Sequence, residues 1–250
     1  MKRRILLSLA LLSLVGDTVR ADLLHPRATD FAAKYNGFTM IMGPTRRLVY
    51  AFATGTLHLM ESRDGKLVEI RTRDLWSYVV RMMGIDLDRD GQEELVGYTA
   101  DARIFVLRGT DLTDIWNTPV NRYREISALT FGDIDQDGQI EIVFIADKIL
   151  RVFSAFEDVE EWKSAVEFLD TDIEMGDVDG DGRDDLVFNG GRVFDAYYRN
   201  LKWTSEMTYG FGVEIDLFDI DSDGILEVIG EGADGLIRIW DIDVRRMKFN

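Results

Sequence analysis

The chain has 250 residues, with 46 acidic against 29 basic side chains, a formal net charge of −17 and no cysteine. That balance argues against nucleic acid as a partner, because no basic face is present to neutralise phosphates. Disulfides and metal thiolates are excluded, and no low-complexity linker marks a second domain.

Residues 1–21 read as a secretory signal: Lys2-Arg3-Arg4 precede the apolar run Ile5–Val15, and Val19-Arg20-Ala21 offers a cleavage site after Ala21. The run is too short to span a bilayer, so no membrane insertion beyond the signal is expected, a membrane anchor being the alternative. The expected location is secreted or periplasmic. In an exported chain without cysteine, bound metal can supply the stapling that disulfides give elsewhere.

Residues 22–250 divide into five units, at approximately 37–76, 77–122, 123–168, 169–208 and 209–250. Each reads as four short strands; in the third these are ISALTF, IEIVFIA, ILRVFSA and EEWKSAV. A large residue closes each unit, at Ile70, Trp116, Trp162, Trp203 and Phe249, with spacings of 46, 46, 41 and 46. No segment shows an amphipathic helical period. Four strands repeating every 40–50 residues define an all-β fold, a β-propeller of five four-stranded blades. Stacked blades bury both faces of each sheet, which explains the near-continuous apolar strands. The recurrent aromatic is read as blade-to-blade packing, with ligand stacking as the alternative. The segment Asp22–Asn36 is expected to pair at the seam between the last and first units and close the ring.

A second pattern runs in register with the first. Asp-x-Asp-x-Asp-Gly-x-x-(Asp/Glu) occurs at Asp86–Glu94, Asp133–Glu141, Asp177–Asp185 and Asp219–Glu227, with starts 47, 44 and 42 residues apart. Calcium takes six to eight oxygens at about 2.3–2.6 Å. Carboxylates at positions 1, 3 and 5 of a tight loop can converge on one point: Asp86, Asp88 and Asp90; Asp133, Asp135 and Asp137; Asp177, Asp179 and Asp181; Asp219, Asp221 and Asp223. Glycine at position 6 turns the chain, and position 7 offers a backbone carbonyl, so its side chain varies: Gln92, Gln139, Arg183, Ile225. Position 9 returns a last carboxylate, from Glu94, Glu141, Asp185 or Glu227. Four Ca²⁺ sites are therefore expected in units two to five, and none in unit one, where a Gly43–Arg47 turn replaces the loop. An EF-hand would need a bidentate Glu at position 12; Gly97, Phe144, Phe188 and Gly230 stand there, and the flanks are strand-like rather than helical. A metal-free acidic turn is the remaining alternative.

Phe131-Gly132-Asp133-Ile134-Asp135 and Met175-Gly176-Asp177-Val178-Asp179, each followed by an apolar strand, resemble the FG-GAP repeats of integrin α-subunit propellers and of related bacterial surface and secreted proteins. The resemblance implies that each loop joins the first two strands of a blade and holds calcium on the positions given above. It departs from the family pattern at position 9, which is Glu in three loops where the family usually has Asp, and in the number of blades, five where the best-known members have seven.

No catalytic constellation is visible. His25 and His58 are the two histidines, and His58 is read as a strand residue without a partner. Asp170, Asp172 and Glu174, with Glu214 and Asp216, alternate along segments read as innermost strands, where they form either a cationic-ligand site in the axial channel or a solvated rim. The functional expectation is an exported calcium-binding propeller that recognises a protein or glycan. The alternatives are a hydrolase or lyase of extracellular polysaccharide on the same fold, or a structural subunit of a surface complex.

Overall fold

The computed structural model describes residues 35–155 and 157–249. Five antiparallel sheets follow one another in sequence, each of four strands in simple meander order. The first blade holds β1 (Tyr35–Ile41), β2 (Arg47–Phe52), β3 (Thr56–Arg63) and β4 (Lys66–Asp74). The second holds β5 (Val79–Ile85), β6 (Glu94–Thr99), β7 (Ile104–Leu107) and β8 (Asp114–Asn117). The third holds β9 (Ile126–Gly132), β10 (Glu141–Ala146), β11 (Ile149–Ser154) and β12 (Val159–Glu167). In the fourth are β13 (Ile173–Gly176), β14 (Asp185–Phe188), β15 (Arg192–Asp195) and β16 (Asn200–Thr204). The fifth comprises β17 (Glu214–Phe218), β18 (Glu227–Glu231), β19 (Ile237–Asp241) and β20 (Arg246–Phe249).

The second strand of a blade shows why the sequence lacks hydrophobic alternation. Every residue of β10 is buried, because side chains of opposite parity serve different interfaces. Ile142, Phe144 and Ala146 pack with Val96, Tyr98 and Ile104 of the second blade. Val143 and Ile145 pack with Ile173, Leu186 and Phe188 of the fourth. Strands β6 and β14 are likewise buried throughout, whereas β2 in the first blade alternates buried and half-buried positions. The recurrent tryptophans lie at these interfaces: the Trp116 ring sits 4.5 Å from that of Phe153 in the next blade.

The outermost strands carry a second regular feature. In β8, β12, β16 and β20 the pairing register slips by one residue, leaving Ile115, Glu161, Lys202 and Lys248 as bulge residues beside Trp116, Trp162, Trp203 and Phe249. A bulge re-aims its side chain out of the ladder's alternation. The expected signal, His25 and almost all of the seam segment Asp22–Asn36 fall outside the described residues.

Candidate metal centres

Each acidic loop joins the innermost strand of its blade to the second, so the four loops share one end of the blades, and the inter-blade connections lie at the other. Every loop contains two left-handed residues. The position-6 glycines Gly91, Gly138, Gly182 and Gly224 have φ of 87°, 94°, 81° and 91°. A Cβ would meet nothing within 4 Å at Gly91, Gly182 and Gly224, and only the end of the Arg89 side chain at 3.8 Å, an ordinary contact, at Gly138, so the demand for glycine is conformational. Position 4 is a second turn position, without a fixed residue type: Arg89, Gln136, Gly180 and Ser222 have φ of 59°, 62°, 74° and 63°.

The carboxylates also hold the loop backbone. The position-6 amide donates to the first aspartate in all four copies: Gly91 to Asp86 at 2.9 Å, Gly138 to Asp133 at 3.1 Å, Gly182 to Asp177 at 2.9 Å and Gly224 to Asp219 at 3.0 Å. The amides of Gln92, Gln139, Arg183 and Ile225 donate to Asp90, Asp137, Asp181 and Asp223 at 2.7–2.9 Å. A glutamate at position 9 reaches back to the amide of position 2, Glu94 to Leu87 at 3.1 Å, Glu141 to Ile134 at 3.0 Å and Glu227 to Ile220 at 2.8 Å. The shorter Asp185 makes no such bond, and neither of its oxygens has a hydrogen-bond partner of good geometry.

Within each loop three carboxylates bring oxygens within 4.8 Å of one another: Asp86, Asp88 and Asp90; Asp133, Asp135 and Glu141; Asp177, Asp179 and Asp185; Asp219, Asp221 and Glu227. Glu94, Asp137, Asp181 and Asp223 stand outside these groupings. Burial, reinforced by the neighbouring loop aspartates, pushes Glu94 and Glu141 up to about 7. Such crowding of acids is what a bound cation would relieve.

The four loops fall into two pairs. In the first pair one oxygen of the first aspartate, Asp86 Oδ1 or Asp133 Oδ1, is buried without a hydrogen-bond partner. Among the described residues no lysine or arginine pairs with Asp86, Asp88, Asp90 or Glu94. Arg89 pairs with the other Asp133 oxygen, Oδ2, at 3.2 Å. In the second pair the equivalent oxygen is satisfied, Asp177 Oδ1 by the Gly180 amide at 2.8 Å and Asp219 Oδ1 by the Asp223 amide at 3.2 Å. There the bulge lysines enter. Lys202 Nζ lies 2.5, 2.9 and 3.0 Å from oxygens of Asp179, Asp181 and Asp185. Lys248 Nζ lies 2.7, 2.8 and 3.0 Å from Asp221, Glu227 and Asp241. The orphaned oxygens of the first aspartate fit a cation in the loops that begin at Asp86 and Asp133; in the other two an ammonium already meets the acids, Asp185 included, whose Oδ1 lies 3.0 Å from Lys202 Nζ.

The inner acids divide: Glu214 and Asp216 are exposed on β17, as a solvated rim would have them, whereas Asp170, Asp172 and Glu174 are taken up by arginines. Glu174 lies on β13, whereas Asp170 and Asp172 precede it and are 6% and 5% exposed. Arg81, on β5 of the second blade, donates from Nη1 to Asp172 Oδ1 at 2.5 Å and from Nη2 to Glu174. The other Asp172 oxygen accepts the Ile215 amide of the fifth blade at 2.8 Å. One aspartate therefore ties three blades together. Burial pushes Glu174 up to about 7, against the pull of Arg81 and with the push of Asp172 and Asp216. Asp170 pairs with Arg192 instead. His58 does have a partner: Nδ1 lies 2.5 Å from Glu69 Oε2 on the adjacent strand, with the ring stacked 4.8 Å from Tyr50.

At the opposite end, each inter-blade connection exposes at least one large apolar side chain. Trp76, Val120, Leu169 and Tyr209 are 84%, 65%, 71% and 85% exposed. Leu169 and Tyr209 flank a hollow of about 370 Å³, whose floor includes Asp170, Asn189 and Arg192.

Five meander sheets packed in sequence make this a β-propeller protein. Residues 86–144, from the first acidic loop into β10, match the FG-GAP-like repeat, so an FG-GAP repeat is present in that span. No curated protein matches the chain in sequence. Its fold is similar to those of BamB from Moraxella catarrhalis (16% identity over 85% of this chain and 60% of that one, TM-score 0.54) and Saccharomyces cerevisiae Sqt1 (13%, 85% and 61%, TM-score 0.61). The C-terminal WD40 domain of Sif2 is also similar (14%, 83% and 57%, TM-score 0.55). The chain spans about 60% of the length of the first two.

Proposed function

We propose that this protein is an exported recognition propeller, stabilised by calcium in its acidic loops, that binds a protein or glycan on the face remote from those loops. The observation that carries recognition is the set Trp76, Val120, Leu169 and Tyr209, the most exposed large apolar residue of each inter-blade connection, of which Leu169 and Tyr209 line a hollow with polar groups in its wall. Exposed aromatics next to hydrogen-bonding groups suit both sugar rings and protein surfaces. The calcium reading rests on Asp86 Oδ1 and Asp133 Oδ1, buried oxygens that lack any donor within acid clusters of the right chemistry. Extracellular calcium modules have dissociation constants of roughly 10⁻⁴–10⁻³ M. At about 1 mM free calcium, mass action then contributes ~0.4–1.4 kcal/mol per occupied loop.

Binding to glycan arrays and to immobilised envelope proteins, with wild type beside Trp76→Ala/Tyr209→Ala, tests the recognition face. Loss of binding in the double variant, with melting unchanged, supports it. Equal binding by both proteins refutes it. Turnover of a polysaccharide by the wild type would instead favour the hydrolase or lyase alternative.

A further inference from the structure

The loops of the fourth and fifth blades hold a lysine ammonium where those of the second and third lack one, and the position that decides this is the same in these four blades. Strands β8, β12, β16 and β20 each carry a bulge, and the bulge residue is Ile115, Glu161, Lys202 or Lys248. The aliphatic Ile115 packs into the core between the second and third blades and brings no charge. Glu161 puts an acid, not a cation, at the same bulge position of the third blade. Lys202 and Lys248 instead each meet three carboxylates within 3.0 Å. We infer that the bulge residue sets which loops take a metal ion: Lys202 and Lys248 act as built-in cations that substitute for calcium, so the described loops bind two calcium ions, at Asp86–Glu94 and Asp133–Glu141.

Three independent observations support this division. The first is the identity and position of the lysines. An ammonium donates three hydrogen bonds and carries one charge, and in both loops it contacts carboxylates of the group that would otherwise ligate an ion. The second is the state of the first aspartate. Its Oδ1 is orphaned at Asp86 and Asp133 and satisfied at Asp177 and Asp219. The third is charge. The acid cluster of the fourth blade has a second cation, Arg183, which pairs with Asp181 at 2.6 Å and Asp195 at 3.3 Å. The cluster at Asp86, Asp88 and Asp90 has none among the described residues, and that of the third blade has Arg89 on a single oxygen of Asp133 at 3.2 Å. An ion entering either of the last two loops would have to displace a lysine from three partners and then tolerate its charge nearby.

The inference rests on the calcium reading of the first two loops, and the experiment separates the two. Calcium stoichiometry is measured by native mass spectrometry and calorimetry on the wild type, Lys202→Met, Lys202→Met/Lys248→Met and the reverse exchange Ile115→Lys. The expected counts are two, three, four and one. A wild type that binds four, or a count unchanged across the lysine variants and Ile115→Lys, overturns the inference. A wild type that binds none while Lys202→Met binds one upholds the lysine substitution and refutes calcium in the first two loops. No binding by any variant overturns both. Ile115→Lys keeps the test decisive should a lysine variant fail to fold.

Discussion

Arg81 is the residue whose loss should be felt furthest from its own blade. It leaves β5 in the second blade and meets Asp172 and Glu174 of the fourth, whose side chains are 8% and 17% exposed, while its own is 26% exposed. Removing one partner from a buried charge pair typically costs 3–5 kcal/mol, roughly, because the other charge is left uncompensated. The partial exposure of Arg81 lets water relieve some of this, so Arg81→Met should cost about 2–4 kcal/mol. With a urea m-value of about 3 kcal/mol/M for a chain of this size, the unfolding midpoint should fall by ~1 M. The damage comes from stranded carboxylates rather than a lost bond. Asp172→Asn and Glu174→Gln in the Arg81→Met background should therefore recover at least ~1 kcal/mol, whereas each alone, with Arg81 present, should destabilise. Urea titrations of the single, double and triple variants followed by tryptophan fluorescence measure all of this. A midpoint shift below ~0.2 M for Arg81→Met, or strictly additive effects, would refute the view that this cluster fastens the second blade to the fourth.

The same cluster should give the stability a pH dependence. Glu174, facing Arg81, Asp172 and Asp216, is raised from 4.5 to about 7. The folded state thus keeps a proton that the unfolded state releases, and this contribution falls as pH rises through that window, by at most about 3 kcal/mol. Glu174→Gln should flatten this part of the chemical-denaturation profile between pH 4.5 and 7, and an unchanged profile would contradict it. Phe144 is fully buried among side chains of the second and third blades. Phe144→Ala should cost about 3–5 kcal/mol in the same assay. Gln136→Gly relieves a non-glycine residue at φ 62° and should stabilise, or cost nothing, by contrast with the usual penalty of ~1 kcal/mol for glycine in a regular element; thermal melts in chelator and in calcium check this.

Much of the architecture was legible because propeller blades are local. Strands β9 to β12 pair only with their sequence neighbours, so turn residues and apolar runs suffice to place them. The acidic loops were legible for the same reason, every proposed ligand lying within nine residues of the first. Position 4 escaped notice because Arg89, Gln136 and Ser222 are not residues that advertise a left-handed conformation, while glycine at position 6 does. The pairing of Arg81 with Asp172 spans 91 positions and arises only when the blades are arranged together, so no local pattern contains it. Lys202 and Lys248 sit on the fourth strand of the blade, beyond the loop and two further strands. Their signal in the sequence is the residue before each recurrent large side chain, which changes from Ile115 to Glu161 to lysine. That column reads as ordinary variation until the bulges show that it points at the loops.

Hydrogen exchange with and without chelator tests the central claim most directly, because it reports each loop separately. On removal of calcium, peptides covering 86–94 and 133–141 should exchange faster, while those covering 177–185 and 219–227 should exchange at an unchanged rate, their carboxylates held by Lys202 and Lys248. Equal deprotection of all four loops, or no response at 86–94 and 133–141, would contradict the account.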